Sequence, residues 1–297
     1  MIGPTERIRI GVAHASVWLI WGSTYLGVRV LVQTVPPFMA MSSRFFAAGA
    51  AVVLYQWFRG VPLPTRAEWR TAMIGGTLMV AAGNGAVAYT EQTVPSNLVA
   101  LTVALMPAWM VVFDWVLHRT RPRAMTLLGL ALGIAGVAVL LNPGRELGPD
   151  DIPLFGAVTV MAGSMSWALG SILTRQAPRP PSVMMSTGAQ MLFAGVVLLG
   201  VSALAGETER VTLALITPQT TLMWLYLVVA GSIVAYSAYV YLLHHTEPAQ
   251  AGSYAFVNPM IAVVLGWALG GEPLNARIGV AAVLIVAAVA LIVRQRQ

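Results

Sequence analysis

The chain has no cysteine in its 297 residues. That excludes disulfides, iron–sulfur clusters, thiolate metal sites and a cysteine nucleophile, and it is silent on redox compartment. Lysine is absent as well, so all 17 basic residues are arginine. Charge of either sign is scarce: 9% of residues, against roughly 25% in a soluble chain whose surface must be wetted. With 58% apolar residues and a mean hydropathy of +0.76, most of the outside must face something other than water. A pI near 10.2 would point to nucleic acid in a soluble protein. Here the arginines sit in short connections, where membrane orientation accounts for them, and nucleic acid is not an expected partner.

What is there is a succession of long apolar runs. A bilayer core needs roughly 20 apolar residues per helix. The pattern predicts spans at about 9–32, 38–58, 69–90, 96–117, 123–142, 153–174, 182–205, 221–244, 250–269 and 275–294, parted by polar or proline-rich clusters such as Pro36-Pro37 and Arg175 to Pro181. Ten-residue alternating segments, the mark of a membrane barrel, are missing. The run from Ile8 to Val32 is too long for a signal peptide and reads as a retained first span. With a cytoplasmic N-terminus, the inside segments hold Arg7, Arg9, Arg59, Arg66, Arg70, Arg119, Arg121, Arg123, Arg175, Arg179, Arg294 and Arg296. The outside loops hold only Arg145, Arg210 and Arg277. The positive-inside rule then puts both termini in the cytoplasm.

The halves resemble each other. A shift of 146 lays Trp21 on Trp167, Arg29 on Arg175, Arg44 on Gln190 and Gly49 on Gly195. A shift of 152 lays Pro107 on Pro259 and Trp115 on Trp267, and a shift of 150 lays Gly129 on Gly279. Residues 1–146 and 147–297 are therefore read as two five-helix repeats. An odd number of spans makes the second copy enter from the opposite side, so the repeats are expected to be inverted around a central cavity, an arrangement common in secondary transporters.

At this point the chain resembles a known family. The runs Ile20-Trp21-Gly22-Ser23-Thr24-Tyr25, Val94-Pro95-Ser96-Asn97-Leu98, Met106-Pro107, Asn258-Pro259 and Gly270-Gly271-Glu272-Pro273 are similar to the drug/metabolite transporter superfamily in its EamA-type ten-helix subgroup. The likeness covers nearly the whole chain as two tandem units. It implies a bacterial inner-membrane exporter of amino acids and related metabolites, some of them aromatic, with drug or other metabolite export as the alternative. Where the family often has Glu after the fourth span of a unit, the second half has Glu272 and the first has Thr120.

Trp18, Trp21, Tyr25 and Arg29 recur at spacings that share one helical face, mirrored by Ser164, Trp167, Ser171 and Arg175. These stripes are expected to face the cavity, where rings can stack on a planar substrate. Packing or an interfacial aromatic belt is the alternative. Asn84, between two glycines at mid-membrane, needs a partner. Tyr89, Trp109, Tyr236 and Tyr239 complete the candidate substrate-binding set. Pro107 and Pro259, central in spans four and nine, are expected to bend them as hinges, since proline removes a helix hydrogen bond.

Charge inside a membrane is costly and usually functional. Arg29, Arg44 and Glu91 share one depth and are expected to form an ion-pair network at the outer mouth. Asp114 is expected to meet Arg175 at the inner mouth, near His244. No acid lies clearly mid-membrane, so the substrate's own gradient is the expected driving force, with proton exchange through His244, His245, Glu91 or Asp114 as the alternative. His244-His245 near Glu247 lacks a third metal ligand, and adjacent helical residues point about 100° apart. No H-E-x-x-H, G-x-S-x-G or nucleotide loop occurs. An enzyme is therefore not expected, nor a metal or cofactor. The expected partners are a small-molecule substrate and the bilayer, with the chain as a monomer.

Overall fold

The structure, a computed structural model, describes residues 4–119, 122, 124–141, 153–175, 177–212, 216–246 and 254–294. Among the described residues there is no strand. Seven helices are long and apolar enough to cross a membrane: α1 (Thr5–Val32), α2 (Pro37–Phe58), α3 (Arg66–Thr90), α4 (Ser96–His118), α6 (Leu154–Arg175), α7 (Val183–Leu204) and α8 (Pro218–His245). Three apolar helices are shorter: α5 (Ala124–Leu141), α9 (Tyr254–Gly270) and α10 (Ala276–Arg294). Their ends fall within about four residues of the expected boundaries. Thr120, which stands opposite Glu272 in the repeat, lies outside the described residues, as do Arg121, Arg123, Arg145, Glu247 and Arg296.

Several helix starts are written locally. Thr65 and Glu68 make a reciprocal capping box at α3. Ser182 accepts from Met185 N at 3.2 Å, and Thr217 accepts from Thr220 N at 3.1 Å ahead of Pro218. Two starts follow a proline and have no cap of their own, and each is capped by a buried acid from the other half. Glu207 accepts from Met39 N (2.8 Å) and Phe38 N (3.4 Å) of α2. Glu272 accepts from Ser96 N (2.7 Å) and Asn97 N (3.0 Å) of α4. A carboxylate at a helix N-terminus satisfies orphan N–H groups and meets the positive end of the dipole.

The helices pair across the halves. α2 lies along α7, α5 along α10 and α4 on α9. α3 lies on α6 and α7, as α8 lies on α1 and α2. Exchanging each helix of the first half for its counterpart in the second leaves this pairing unchanged. The α2–α7 crossing depends on glycine. A Cβ at Gly49 would stand 2.6 Å from Leu192 Cα, and one at Gly195 would stand 2.7 Å from Phe46 Cα. Small residues let backbones approach where lipid supplies no hydrophobic drive between helices.

The periodicity gives no hint of the breaks from α-geometry. Val17–Trp21 in α1, Gly76–Gly83 in α3 and Leu227–Val234 in α8 are π-helical. Such turns frequently mark functional sites. In α4 the helix breaks at Ala104-Leu105 and restarts at Met106. Pro107 thus sits in a first turn, where a missing N–H costs nothing, and not inside a continuous span as the sequence predicts. Pro259 does lie inside α9.

Candidate functional site

A cavity lies where the π-helical turns and the α4 break converge. Its walls come from both halves: Trp21, Tyr25 and Arg44 from α1 and α2, Asn84 from α3, Ser164 and Trp167 from α6, Tyr236 from α8, Tyr254 and Asn258 from α9.

One wall is aromatic. The Trp21 and Trp167 rings meet edge to face at 5.7 Å between centroids. Trp21 also lies 6.4 Å from Tyr236 and 5.2 Å from Tyr254. Tyr239 backs this cluster, 5.0 Å from Trp21 and 1% exposed. The local sequence makes room for it. A Cβ at Gly83 would stand 2.7 Å from Trp167 Cε3, so the Gly83-Asn84 pair clears a space that the ring fills. The Asn84 amide donates to Val80 O at 3.1 Å, inside its own π-turn. Trp21 Nε1 donates to Gly231 O at 3.1 Å. Ser164 Oγ is buried and has no hydrogen-bond partner among the described residues.

The other wall carries charge. Arg44 is 3% exposed and faces the cavity. Its Nε donates to Ser232 Oγ at 2.8 Å, its Nη1 to Met41 Sδ at 3.8 Å, and its Cζ stands 4.7 Å over the Phe45 ring. Ser232 Oγ in turn donates to Leu227 O, five residues back, as the π-turn allows. No carboxylate of the described residues lies within 4 Å of Arg44.

The expected outer network of Arg29, Arg44 and Glu91 is therefore corrected. Arg29 does the tying: Nη1 donates to the carbonyls of Glu91 (3.0 Å) and Val94, and Nε lies 3.5 Å from Glu272 Oε1. The acid in this contact is Glu272, which also caps α4. Glu91 is wholly buried, and among the described residues neither carboxylate oxygen has a hydrogen-bond partner. At the opposite end Asp114 pairs with His118, one turn on, at 3.0 Å, and Arg175 meets no carboxylate among the described residues. Arg175 and His244 border a second space of about 410 Å³, with His244 Nδ1 2.6 Å from Val240 O.

Four of the expected lining residues do not line the cavity: Tyr239, which backs the aromatic wall, and Tyr89, Trp109 and Ser171, which lie elsewhere. Tyr89 is 38% exposed and stacks on Phe38 at 5.8 Å, because its turn of α3 faces outward. Trp109 packs against the core one turn below the α4 break and does not line the cavity. Ser171 donates to Trp167 O on its own helix and borders the second space. The sequence reading missed Tyr254, Asn258 and Ser232. Tyr254 and Asn258 are one turn apart, and that spacing was a usable signal; Ser232 had none.

The EamA-like transporter family model matches twice, at residues 12–142 and 154–294. The chain is 40% identical over 278 residues to the uncharacterized inner membrane transporter YedA of Escherichia coli K12, covering 93% of this chain and 88% of that one. It is 27% identical over 251 residues to protein PecM of Dickeya dadantii, covering 84% and 80%. A protein crystal structure at 18% identity superposes with a TM-score of 0.66 over 95% of both chains, a likeness of fold. With both halves matched by one family model, this multi-pass helical membrane protein belongs to the EamA-like transporter family.

Proposed function

We propose that the chain is a secondary transporter that opens its central cavity alternately to the two sides of the bacterial inner membrane and exports neutral and aromatic amino acids with related metabolites. The observation that carries this reading is the aromatic wall shared by the halves, in which Trp21 and Trp167 occupy equivalent repeat positions and touch. Rings of this kind stack on apolar side chains and on planar groups. The family supports transport, and the E. coli relative, an inner membrane transporter, supports the inner membrane.

The same proposal takes the chain as ten spans in two inverted halves, residues 1–146 and 147–297, with both termini cytoplasmic. An odd number of helices per half, the exchange-invariant helix pairing and the arginine bias support it. In this reading the Arg29–Glu272 contact latches the outer end, joining α1 to the start of α4 and the segment before α10. The corresponding Arg175 end, with no such ion pair, is the looser one. Pro259 and the α4 break at Pro107 are the bending points.

The experiment is uptake of labelled phenylalanine into liposomes carrying the purified protein, with other amino acids as competitors. Saturable, competed flux is expected. Flux no greater than in empty liposomes for every amino acid would overturn the substrate assignment.

A further inference from the structure

Among the described residues the cavity lining holds one cation, Arg44. It is almost wholly buried, and three of its contacts are to a hydroxyl, a sulfur and a ring face, none of them charged. A buried charge with no acid in contact is costly and is retained where it has work to do. Glu272 is taken by Arg29 and the α4 N-terminus. Buried Glu91 attracts Arg44 at longer range and stands beyond ion-pair distance, so the guanidinium has no carboxylate in contact among the described residues.

The guanidinium is also oriented. Ser232 holds Nε, Met41 lies against Nη1, and the Phe45 ring fixes the plane. Nη2 has no hydrogen-bond partner among the described residues. A Cβ on Gly231 would stand 2.9 Å from it, so the bare glycine is what lets it reach the cavity. The Gly231 carbonyl accepts from Trp21, so the cation and the aromatic wall meet at one residue. A further polar atom of the lining, Ser164 Oγ, can donate and has no acceptor among the described residues. A cation beside a free donor asks for an anion with several acceptor oxygens, and guanidinium matches carboxylate geometry.

We propose that Arg44 binds the carboxylate of the transported molecule, so that the cavity selects small organic carboxylates over the corresponding amines and amides. This rests on the reading of the central cavity as the transport site. The apolar part of the ligand lies against Trp21 and Trp167, and its anionic end lies at Arg44. A free amino group is not required.

The test is binding to the full-length protein in lipid nanodiscs, read by titration calorimetry, with matched pairs: hydrocinnamate and phenethylamine, isocaproate and isoamylamine, phenylalanine and phenylalaninamide. The carboxylate of each binding pair is expected to be about tenfold or more tighter than its partner. In Arg44→Gln the preference should fall to within about twofold, while Arg44→Lys should keep part of it. Equal or tighter binding of the amines, no binding by any carboxylate, or an undiminished preference in Arg44→Gln would overturn the proposal. The wild-type series decides even where Arg44→Gln does not fold. Binding of isocaproate or hydrocinnamate without phenylalanine would overturn the amino-acid assignment and leave the role of Arg44 standing.

Discussion

Arg44 and Gln190 occupy the same place in the two halves, and their surroundings differ in one respect. Each reaches across to the opposite half, Arg44 to Gly231 and Ser232 of α8, Gln190 to Gly75 of α3. Gln190 is used up internally: Oε1 accepts from Tyr236 Oη at 2.6 Å and Nε2 lies 3.4 Å from Ser186 Oγ. Arg44 keeps a donor facing the cavity. Arg29 and Arg175 differ in the opposite sense, the first-half residue tied into three contacts and the second-half one exposed without an acid partner among the described residues. The duplicated framework thus carries unduplicated chemistry. A two-fold scaffold serves motion, whereas recognition of an asymmetric molecule calls for a one-sided site.

The comparison can be broken first where the halves are alike. Gly49→Val and Gly195→Val should each drive the α2 and α7 backbones apart and cost on the order of 3 kcal/mol, seen as loss of monodisperse protein or a sharp fall in melting temperature in detergent. One tolerated and one lethal substitution would mean that the crossing is not equivalent from its two sides.

The next test uses the two ends. Glu272→Gln leaves Arg29 without its acid and weakens the α4 cap, for a cost of about 2 kcal/mol. Arg175→Gln, at an exposed site, should stay within about 0.5 kcal/mol of the parent. Thermal unfolding of the two variants in the same micelle separates them, and equal losses would abolish the distinction between a tied end and a loose one.

Smaller effects sharpen the aromatic wall. Trp167→Ala removes one ring of an edge-to-face pair and should weaken phenylalanine binding by about 1 kcal/mol, roughly fivefold, with Trp21→Ala similar. Tyr89→Phe lies outside the cavity and should change neither binding nor stability beyond about 0.5 kcal/mol. A loss of binding in the Tyr89 variant would return that residue to the site.

Much of the fold was readable because its cause is local. Twenty apolar residues in a row and polar or proline breaks dictate helices wherever the bilayer denies the backbone water. The Trp21–Trp167 meeting was also legible, since scarce residues at one repeat offset mark equivalent places. Ion partners were not. Depth alone grouped Arg29, Arg44 and Glu91, but depth is one coordinate of three. Rotation about each helix sends Arg29 to Glu272 and Arg44 into the cavity. Tyr89 failed for the same reason, being at a plausible height on an outward face.

Composition and spacing by themselves determined the helical membrane class, the helix limits and the resemblance between halves, because hydrophobic length and repetition are properties of the chain in order. Only the tertiary structure decided where the π-turns fall, that Glu207 and Glu272 cap helices of the other half, and that Arg44 faces the cavity without an acid. The caps and the placement of Arg44 depend on groups more than a hundred residues apart brought within hydrogen-bonding reach, and no local pattern encodes such a meeting.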